Sequence, residues 1–193
     1  MATRSIKGEL VDLERYRFII EPRYYFYGWA GSPHLYARRA VVRALARARK
    51  FLPRGYNFKI WDAWRSYTVD ARVLKGFRER LRALHPQASS TEIRNLQQKF
   101  GGQALKRVAR VDTHRNGGSV DLTIVDRTGR ELYMGTDHDD LTAKAALDYF
   151  DTRRGSSILQ ERARRNRRLL KRVMNKGGFT PYAPEWWHWS YMS

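Results

Sequence analysis

The sequence predicts an α+β fold: a single domain over residues 1–193 in which a small antiparallel sheet is flanked by helices. Helical periodicity dominates the first half of the chain, whereas apolar and polar side chains alternate after Gly117. A long basic helix and a Trp-rich segment close the chain. Helices followed by a hairpin, a helix and a last strand are typical of an α+β domain. No repeat, low-complexity linker or shift in composition indicates a second domain.

The first helix is predicted to begin at Ser32-Pro33, because serine caps helix N-termini and proline fits the first turn. Apolar residues then recur at helical spacing until Pro53, namely Ala37, Val41, Ala44, Leu45, Ala48 and Leu52. Alternation around Phe58 and Ile60 predicts a strand that runs into Asp62-Ala-Trp-Arg65. Two further helices are expected, over about residues 68–84 and 90–100.

The second half of the chain begins with a strand pattern. Apolar and polar residues alternate from Val120 to Val125, which predicts a half-buried strand. A turn over residues 126–129 and a return strand over 131–134 are expected to follow. A basic amphipathic helix that ends at Gly177-Gly178 and a final Trp-rich strand complete the prediction.

The formal net charge of +19 comes from 38 Lys and Arg against 19 Asp and Glu. Such a charge would attract nucleic acid, an anionic membrane surface or the anionic bacterial cell wall. The densest stretch, residues 153–176, holds ten basic residues and one Glu. On a helical wheel, Ile158 and Leu159 join an apolar arc, and Arg167 falls on the opposite, basic side. This pattern favours a solvated helix face over about 157–175 rather than a dedicated polyanion site.

The chain has no cysteine, which excludes a disulfide scaffold, a thiol nucleophile and a Cys-ligated metal. A metal held by histidine and carboxylate is still compatible with the composition. No apolar run approaches the roughly 18 residues needed to span a membrane. The N-terminus has no apolar segment behind its charges and does not read as a secretory signal, so we expect a cytoplasmic protein.

Three segments could carry chemistry: Trp61-Asp-Ala-Trp-Arg65, His114-Arg-Asn-Gly-Gly-Ser-Val-Asp121 and Glu185-Trp-Trp-His188. Each alone also fits a structural role, since tryptophans are usually core residues. Asp121, however, lies within an apolar strand, where a carboxylate is unfavourable unless it is paired or bound to a cation. Gly117 and Gly118 allow the backbone to fold back between His114 and Asp121. With His188 as a second histidine, these residue types are the donor set of a catalytic zinc site that keeps an open fourth position.

Glu185 lies three residues before His188. Pro181 and Pro184 disfavour a helix there, and a strand would send Glu185 and His188 to opposite faces. The two side chains can share a site only if Glu185 lies on the bend that enters the final strand.

Taken together, the segments resemble the VanX-like D-alanyl-D-alanine dipeptidases, a family of zinc D,D-peptidases. The resemblance rests on Asp62-Ala-Trp-Arg65, His114-Arg-Asn-Gly117-Gly-Ser119-Val-Asp121, Met134-Gly-Thr-Asp-His-Asp139 and Glu185-Trp-Trp-His188. These motifs occur in the family's order and spacing, and the similarity extends from about residue 30 to the C-terminus. It implies the Hedgehog/D,D-peptidase-like fold, with the zinc site at the sheet.

The resemblance also implies the roles of the site residues. One zinc ion per chain would be held by His114, Asp121 and His188. Glu185 would act as general base on water, and Arg65 would stabilise the oxyanion. Asp139 would bind the free ammonium group of the substrate, which implies a dipeptide such as D-alanyl-D-alanine.

Three positions depart from the family. Asp112 stands where the family usually has serine, and a second negative charge facing the dipeptide carboxylate would repel it. His138 replaces the aromatic residue before Asp139, where it would crowd the pocket or contribute to binding. Ser66 replaces the proline that follows Arg65. These changes leave the zinc ligands intact and bear on the substrate.

Two other functions fit the sequence. A related zinc peptidase would act on peptidoglycan stem peptides, with its charge favouring adsorption to the anionic wall. A non-catalytic protein would instead use the basic helix on nucleic acid or another polyanion, but a binding module has no need of Glu185 and Arg65. The leading interpretation is therefore a zinc dipeptidase, which does not favour nucleic acid as a partner.

Overall fold

A five-stranded sheet lies at the centre of the structure, a computed structural model that describes residues 8–100, 113–151 and 157–192. Within these ranges the strands are β1 (Leu10–Asp12), β2 (Ile19–Ile20), β3 (Tyr36–Arg38), β4 (Asn57–Asp62), β5 (Ser119–Val125), β6 (Thr180–Pro181) and β7 (His188–Ser190). The α-helices there are α1 (Arg23–Phe26), α2 (Arg39–Arg49), α3 (Tyr67–Leu84), α4 (Ser90–Phe100) and α5 (Ile158–Gly177). Helices flank a small sheet, which confirms the α+β prediction.

The strand order in the central sheet is β2-β4-β5-β7-β6, while β1 and β3 form a separate ribbon. Neighbouring strands of the central sheet are antiparallel except β2 and β4, which are parallel. The predicted antiparallel sheet is confirmed apart from one edge, where β2 pairs in parallel with β4; the two-residue β2 is too short to show a periodic pattern in the sequence. Asp121 of β5 is the register partner of Asp62 in β4 and of His188 in β7. Three polar residues thus lie side by side across three strands.

The helix expected from Ser32-Pro33 begins only at Arg39. The Ser32 hydroxyl instead accepts a hydrogen bond from the amide of His34 (3.2 Å) in a turn. Residues Tyr36–Arg38 form β3, which pairs with β1, and the amide of Arg39 donates to the carbonyl of Glu9 (2.9 Å). This start was mispredicted because pairing with the N-terminal segment overrides the local helix signal.

The other predicted elements lie where they were expected, with two differences. β5 is buried at every position rather than half-buried, since it is a central strand covered on both sides. The return strand predicted over residues 131–134 reduces to one bridge, between Val125 and Glu131. The amide of Leu132 still donates to the carbonyl of Ile124 (2.9 Å), so the segment turns back along β5 without forming a regular strand.

The burial of side chains on α5 differs from the helical-wheel prediction on both the apolar and the basic face. Ile158 and Leu159 are 85% and 55% exposed in the first turn and do not join the core. Arg167, expected on the solvated face, is buried. Its guanidinium donates to the carbonyls of Met134 (2.7 Å) and Ala146 (2.5 Å). These backbone acceptors compensate the burial of the charge, and helical periodicity cannot reveal them.

The helices α2 and α5 pack closely on one face of the sheet. A Cβ added to Gly177 of α5 would lie 2.7 Å from the Cβ of Ala48 in α2. Buried residues of both helices share one core with the apolar residues of β5, Val120, Leu122 and Ile124. Side chains alternate along a strand, so Asp121 and Thr123 point to the opposite face. No helix in the described ranges is long and apolar enough to cross a membrane.

Candidate metal centre and active site

Three side chains distant in sequence converge on the face of the sheet opposite α2 and α5. Nε2 of His114 lies 3.2 Å from Oδ1 of Asp121 and 3.1 Å from Nδ1 of His188. Nδ1 of His188 lies 3.0 Å from the same Asp121 oxygen. All three residues are buried, and their atoms form a compact group that could hold a metal ion.

A tight turn brings His114 to the start of β5. His114–Asn116 form a short 3₁₀ helix, which Gly117 ends with φ 73°. This left-handed conformation favours glycine, and a Cβ at Gly117 would also lie 2.7 Å from the side chain of Leu10. The amide of Gly118 donates to the carbonyl of Thr113 (3.1 Å). The chain therefore folds back as the two glycines indicated, while register across the sheet brings His188 to Asp121.

The donor atoms fit a zinc ion. Nδ1 of His114 bonds to the carbonyl of Ala63 (2.6 Å) and lies 2.9 Å from Oδ2 of Asp62, so Nε2 is the nitrogen that faces the cluster. Oδ1 of Asp121 is buried and accepts no hydrogen bond from the described residues. A tetrahedral zinc with bonds of about 2.0–2.1 Å would hold its ligands roughly 3.3 Å apart. The observed separations of 3.0, 3.1 and 3.2 Å are close to that spacing.

The electrostatics of the cluster also favour a cation. Burial and Arg65 act to lower the pKa of His114, but the carboxylates of Asp121 and Asp62 outweigh them and raise it to about 10. Burial acts to raise the pKa of Asp121, but the imidazoles around it, His114 foremost, hold that pKa well below its ordinary value. Burial lowers the pKa of His188. These shifts favour a positive charge beside the Asp121 carboxylate, which a proton or a metal ion could supply.

Glu185 lies at the edge of the cluster, on the turn that enters β7. Its Oε2 is 3.9 Å from Nδ1 of His188, and its carbonyl accepts a bond from the His188 amide (3.3 Å). Glu185 and His188 can share one site because Glu185 lies on this bend and not within a helix or a strand. Burial, followed by the charges of Asp121 and Asp139, raises the pKa of Glu185 well above its ordinary value. A carboxylate with a raised pKa beside a candidate metal site suits a group that takes up a proton.

Arg65 is joined to the cluster through Asp62. Its Nε lies 2.8 Å from Oδ2 of Asp62, the oxygen that also lies beside His114, and its Nη1 lies 3.4 Å from Asp70. The Arg65 amide donates to the carbonyl of His114 (3.0 Å), which connects the two backbones directly. Burial acts to lower the pKa of Arg65, but Asp62 and other nearby anions outweigh it and raise that pKa above its ordinary value. Ser66, found where the family has proline, caps α3.

Asp139 and His138 lie in the segment that faces β5 across the site. Asp139 adopts φ 59°, and burial raises the pKa of its carboxyl. Nε2 of His138 lies 3.4 Å from Oδ2 of Asp121 and 3.3 Å from Oδ1 of Asp139. The His138 side chain is 0% exposed, with its ring packed near Trp61 and Trp187. The imidazole of His138 bridges the carboxylates of Asp121 and Asp139, and a contact between His138 and substrate stays a prediction.

Tyr24 is a site residue that the sequence did not reveal. Its hydroxyl donates to Oδ1 of Asp139 (3.3 Å), and the Arg65 guanidinium lies 5.2 Å from the centre of its ring. Burial, then Asp139, raises the pKa of the Tyr24 phenol, which keeps this donor protonated. Only the tertiary fold brings α1 to the site, and no motif surrounds Tyr24. The predicted substrate contact Asp112 lies outside the described residues.

A cavity of about 310 Å³ opens beside Arg65 and Tyr24. Its wall also includes Asp62, Trp61 and Trp64. The cavity therefore borders the arginine and the phenol rather than the three clustered ligands, and it offers space for a small molecule next to them.

Comparison of the sequence with known proteins identifies relatives of this chain. A family model described as D-ala-D-ala dipeptidase matches residues 34–193. The D-alanyl-D-alanine dipeptidase of Streptomyces coelicolor is 29% identical over 156 residues, which cover 79% of this chain and 71% of that protein. The protein of the same name from Enterococcus faecalis is 26% identical over 155 residues, 78% of this chain and 70% of that protein. Another, from Synechocystis, is 35% identical over 81 residues, which span 40% of this chain and only 33% of that relative.

Proposed function

The chain belongs to the D-ala-D-ala dipeptidase family, and from this premise we propose that it is a zinc-dependent dipeptidase that hydrolyses D-alanyl-D-alanine. The observation that supports this most directly is the buried group of His114, Asp121 and His188, with Glu185 at its edge. Two buried imidazoles and a buried carboxylate, whose ligand atoms all lie within 4.8 Å of one another, form the donor set of a catalytic zinc site. Zinc bound there would act as a Lewis acid toward water and the peptide carbonyl.

Glu185 is the proposed general base. Its raised pKa lets it accept a proton from the attacking water and return that proton to the leaving amine. The turn that holds Glu185 is tied to His188 by a backbone hydrogen bond, so the base and one ligand keep a constant separation. General base catalysis of this kind contributes roughly 10²–10⁴-fold in rate.

Arg65 and Asp139 are the proposed partners of the two charged parts of the reacting dipeptide. The guanidinium of Arg65, held by Asp62 and Asp70, would donate to the oxyanion that forms at the scissile carbonyl. Asp139, bonded to Tyr24, would accept the free ammonium group of the substrate. A carboxylate that binds the free ammonium would direct cleavage to the bond next to the amino terminus, as in a dipeptidase rather than an endopeptidase.

The test is hydrolysis of D-Ala-D-Ala by zinc-loaded protein, with L-Ala-L-Ala as the stereochemical control and zinc content measured on the same sample. We expect cleavage of the D,D compound alone. The matched variant Glu185→Gln keeps the shape of the side chain. It should bind one zinc per chain, and its kcat should fall by about 10²–10⁴-fold.

Two outcomes would contradict the proposal in different ways. A protein that binds no zinc would refute the metal centre. A protein that binds one zinc and leaves D-Ala-D-Ala intact would refute the substrate, and peptidoglycan stem peptides would then be the next substrates to assay.

A further inference from the structure

Arg115 directly follows the candidate ligand His114, on the short 3₁₀ helix that precedes β5. Its backbone is fixed, because the carbonyl of Arg115 accepts a hydrogen bond from Nε1 of Trp64 (3.2 Å) and Gly117 ends the turn. The Arg115 side chain leaves the buried cluster, with an exposed fraction of 36% against 9% for the side chain of Arg65. Arg115 therefore offers a cation at the accessible edge of the candidate site.

Two contacts orient the Arg115 guanidinium. Its Nε lies 3.5 Å from Oδ2 of Asp70, and its Cζ lies 5.0 Å from the centre of the Tyr67 ring. The other oxygen of Asp70 lies 3.4 Å from Nη1 of Arg65, so the two guanidiniums lie on either side of one carboxyl group. Nη1 and Nη2 of Arg115 donate no hydrogen bond to the described residues. These two nitrogens can therefore bind an anion that enters the site.

The dipeptide of the proposed function has one charged group that still lacks a partner. Asp139 would bind its ammonium group and Arg65 its oxyanion, whereas the terminal carboxylate lies one residue, about 3.8 Å, beyond the scissile carbonyl. Removing that carboxylate from water is unfavourable unless a cation pairs with it. Nη2 of Arg80 bonds to the carbonyl of Asp139 (3.4 Å), which places Arg80 at the ammonium end of the site. Arg115 lies instead beside Arg65, on the side where the carboxylate follows the carbonyl.

We propose that Arg115 binds the C-terminal carboxylate of the dipeptide and thereby determines substrate specificity, an inference that rests on the proposed function. The planar guanidinium pairs with a carboxylate through two parallel N–H···O bonds, and Nη1 and Nη2 can supply both donors. With Asp139 at the ammonium group and Arg115 at the carboxylate, the site recognises both free ends of its substrate. A dipeptide satisfies both contacts, whereas a peptide that is blocked at its C-terminus loses one of them.

The experiment compares D-Ala-D-Ala with D-Ala-D-alaninamide, which keeps the scissile bond and lacks the carboxylate. Each compound is assayed with the zinc-loaded parent, with Arg115→Gln and with the matched control Arg72→Gln, which removes the same charge from an exposed position of α3. Arg115→Lys keeps the charge without the planar fork, and zinc content is measured on every sample. Calorimetry of D-Ala-D-Ala binding in the Glu185→Gln background, with and without Arg115→Gln, gives the affinity without turnover.

For the parent we expect kcat/KM to be about 10–100-fold lower on the amide than on D-Ala-D-Ala, because hydrogen bonds to a charged group are lost. Arg115→Gln should lower kcat/KM for D-Ala-D-Ala by a similar factor, mainly by raising KM, and should change that for the amide by no more than about twofold. The calorimetric affinity should weaken about 10–100-fold as well. Arg115→Lys should fall between the parent and Arg115→Gln, and Arg72→Gln should match the parent.

Equal losses on both compounds in Arg115→Gln would overturn the inference, because the substitution would then act through the neighbouring ligand His114. An unchanged KM and an unchanged calorimetric affinity for D-Ala-D-Ala would overturn it as well. Either result leaves the proposed function intact, provided that the parent cleaves D-Ala-D-Ala. A zinc-loaded parent that cleaves neither compound would refute the proposed function, and the calorimetric comparison would still decide whether Arg115 binds the carboxylate.

Discussion

Two buried arginines show how differently the protein uses the same side chain. Arg65 lies in the candidate site with the carboxylates of Asp62 and Asp70 around it. Arg167 lies under α5 and donates to the backbone carbonyls of Met134 and Ala146, with no carboxylate of the described residues within 4.0 Å. Both are nearly inaccessible, at 8% and 2% exposure.

The pKa of each guanidinium reflects its surroundings. At Arg65 the nearby anions outweigh burial and raise the pKa above its ordinary value. At Arg167 burial dominates and lowers the pKa to about 10, which still leaves the group charged at neutral pH. We infer that Arg65 is held for chemistry on an anionic oxygen. Arg167 fixes the segment between Met134 and Ala146, and that segment carries Asp139.

The largest effect is expected from a substitution of Arg65, the arginine that we assign to catalysis. Arg65→Lys keeps a positive charge beside Asp62 and Asp70 but loses the fixed donor geometry. We expect kcat/KM for D-Ala-D-Ala to fall about 10²–10³-fold, equivalent to roughly 3–4 kcal/mol, with zinc content unchanged. Steady-state kinetics with metal analysis would measure this. An unaltered kcat/KM would assign Arg65 to structure, like Arg167.

The structural side is tested by Arg167→Met, which keeps the length of the side chain and removes the donors. Two buried carbonyls would lose their partner, and we expect the free energy of unfolding to fall by about 2–3 kcal/mol. Urea denaturation would measure the loss, and kinetics under folding conditions should show kcat within a few-fold of the parent. A loss of kcat without a loss of stability would reverse the roles that we assign to the two arginines.

A third variant asks whether the segment held by Arg167 also supports the metal ligands. His138→Phe restores the aromatic type found in the family but removes the nitrogen beside Asp121. We expect zinc affinity to weaken about tenfold, as for other residues that orient a ligand. Competition with a chelator would measure it, with His138→Asn as a control that retains a donor. If both variants kept the parent affinity, the bridge would have no role in metal binding.

The smallest effect concerns pH. A general base acts in its ionised form, so kcat/KM should rise with pH through the raised pKa of Glu185. Burial is the main cause of that shift, and the negative charge of Asp139 adds to it. Asp139→Asn removes the charge, so the acid limb of the profile should move to lower pH even though KM increases. A limb that moved to higher pH would contradict the assignment of Glu185 as the titrating base.

Local sequence was sufficient for the elements whose signals are short-range. The strand β5 and the Gly177-Gly178 end of α5 both lie where the sequence pattern predicted them. The ligand types were also recognisable, because an aspartate within an apolar strand and a histidine among tryptophans are unfavourable unless something binds them.

Partners distant in sequence decided the rest. Residues 36–38 form a strand because they pair with β1. Arg167 is buried because two backbone carbonyls accept hydrogen bonds from its guanidinium. Tyr24 bonds to Asp139, which lies 115 positions later in the sequence, and no motif around Tyr24 indicates this contact.

Periodicity, caps and residue type were therefore enough to predict the fold class, most helix boundaries and the chemical identity of the candidate ligands. Which atoms meet depends on the folded chain: the register that sets His188 beside Asp121, the position of His138 between two carboxylates, and the separate surroundings of Arg65 and Arg167. Hydrogen-bond register and the compensation of buried charge depend on contacts between distant segments, and a local pattern does not encode them.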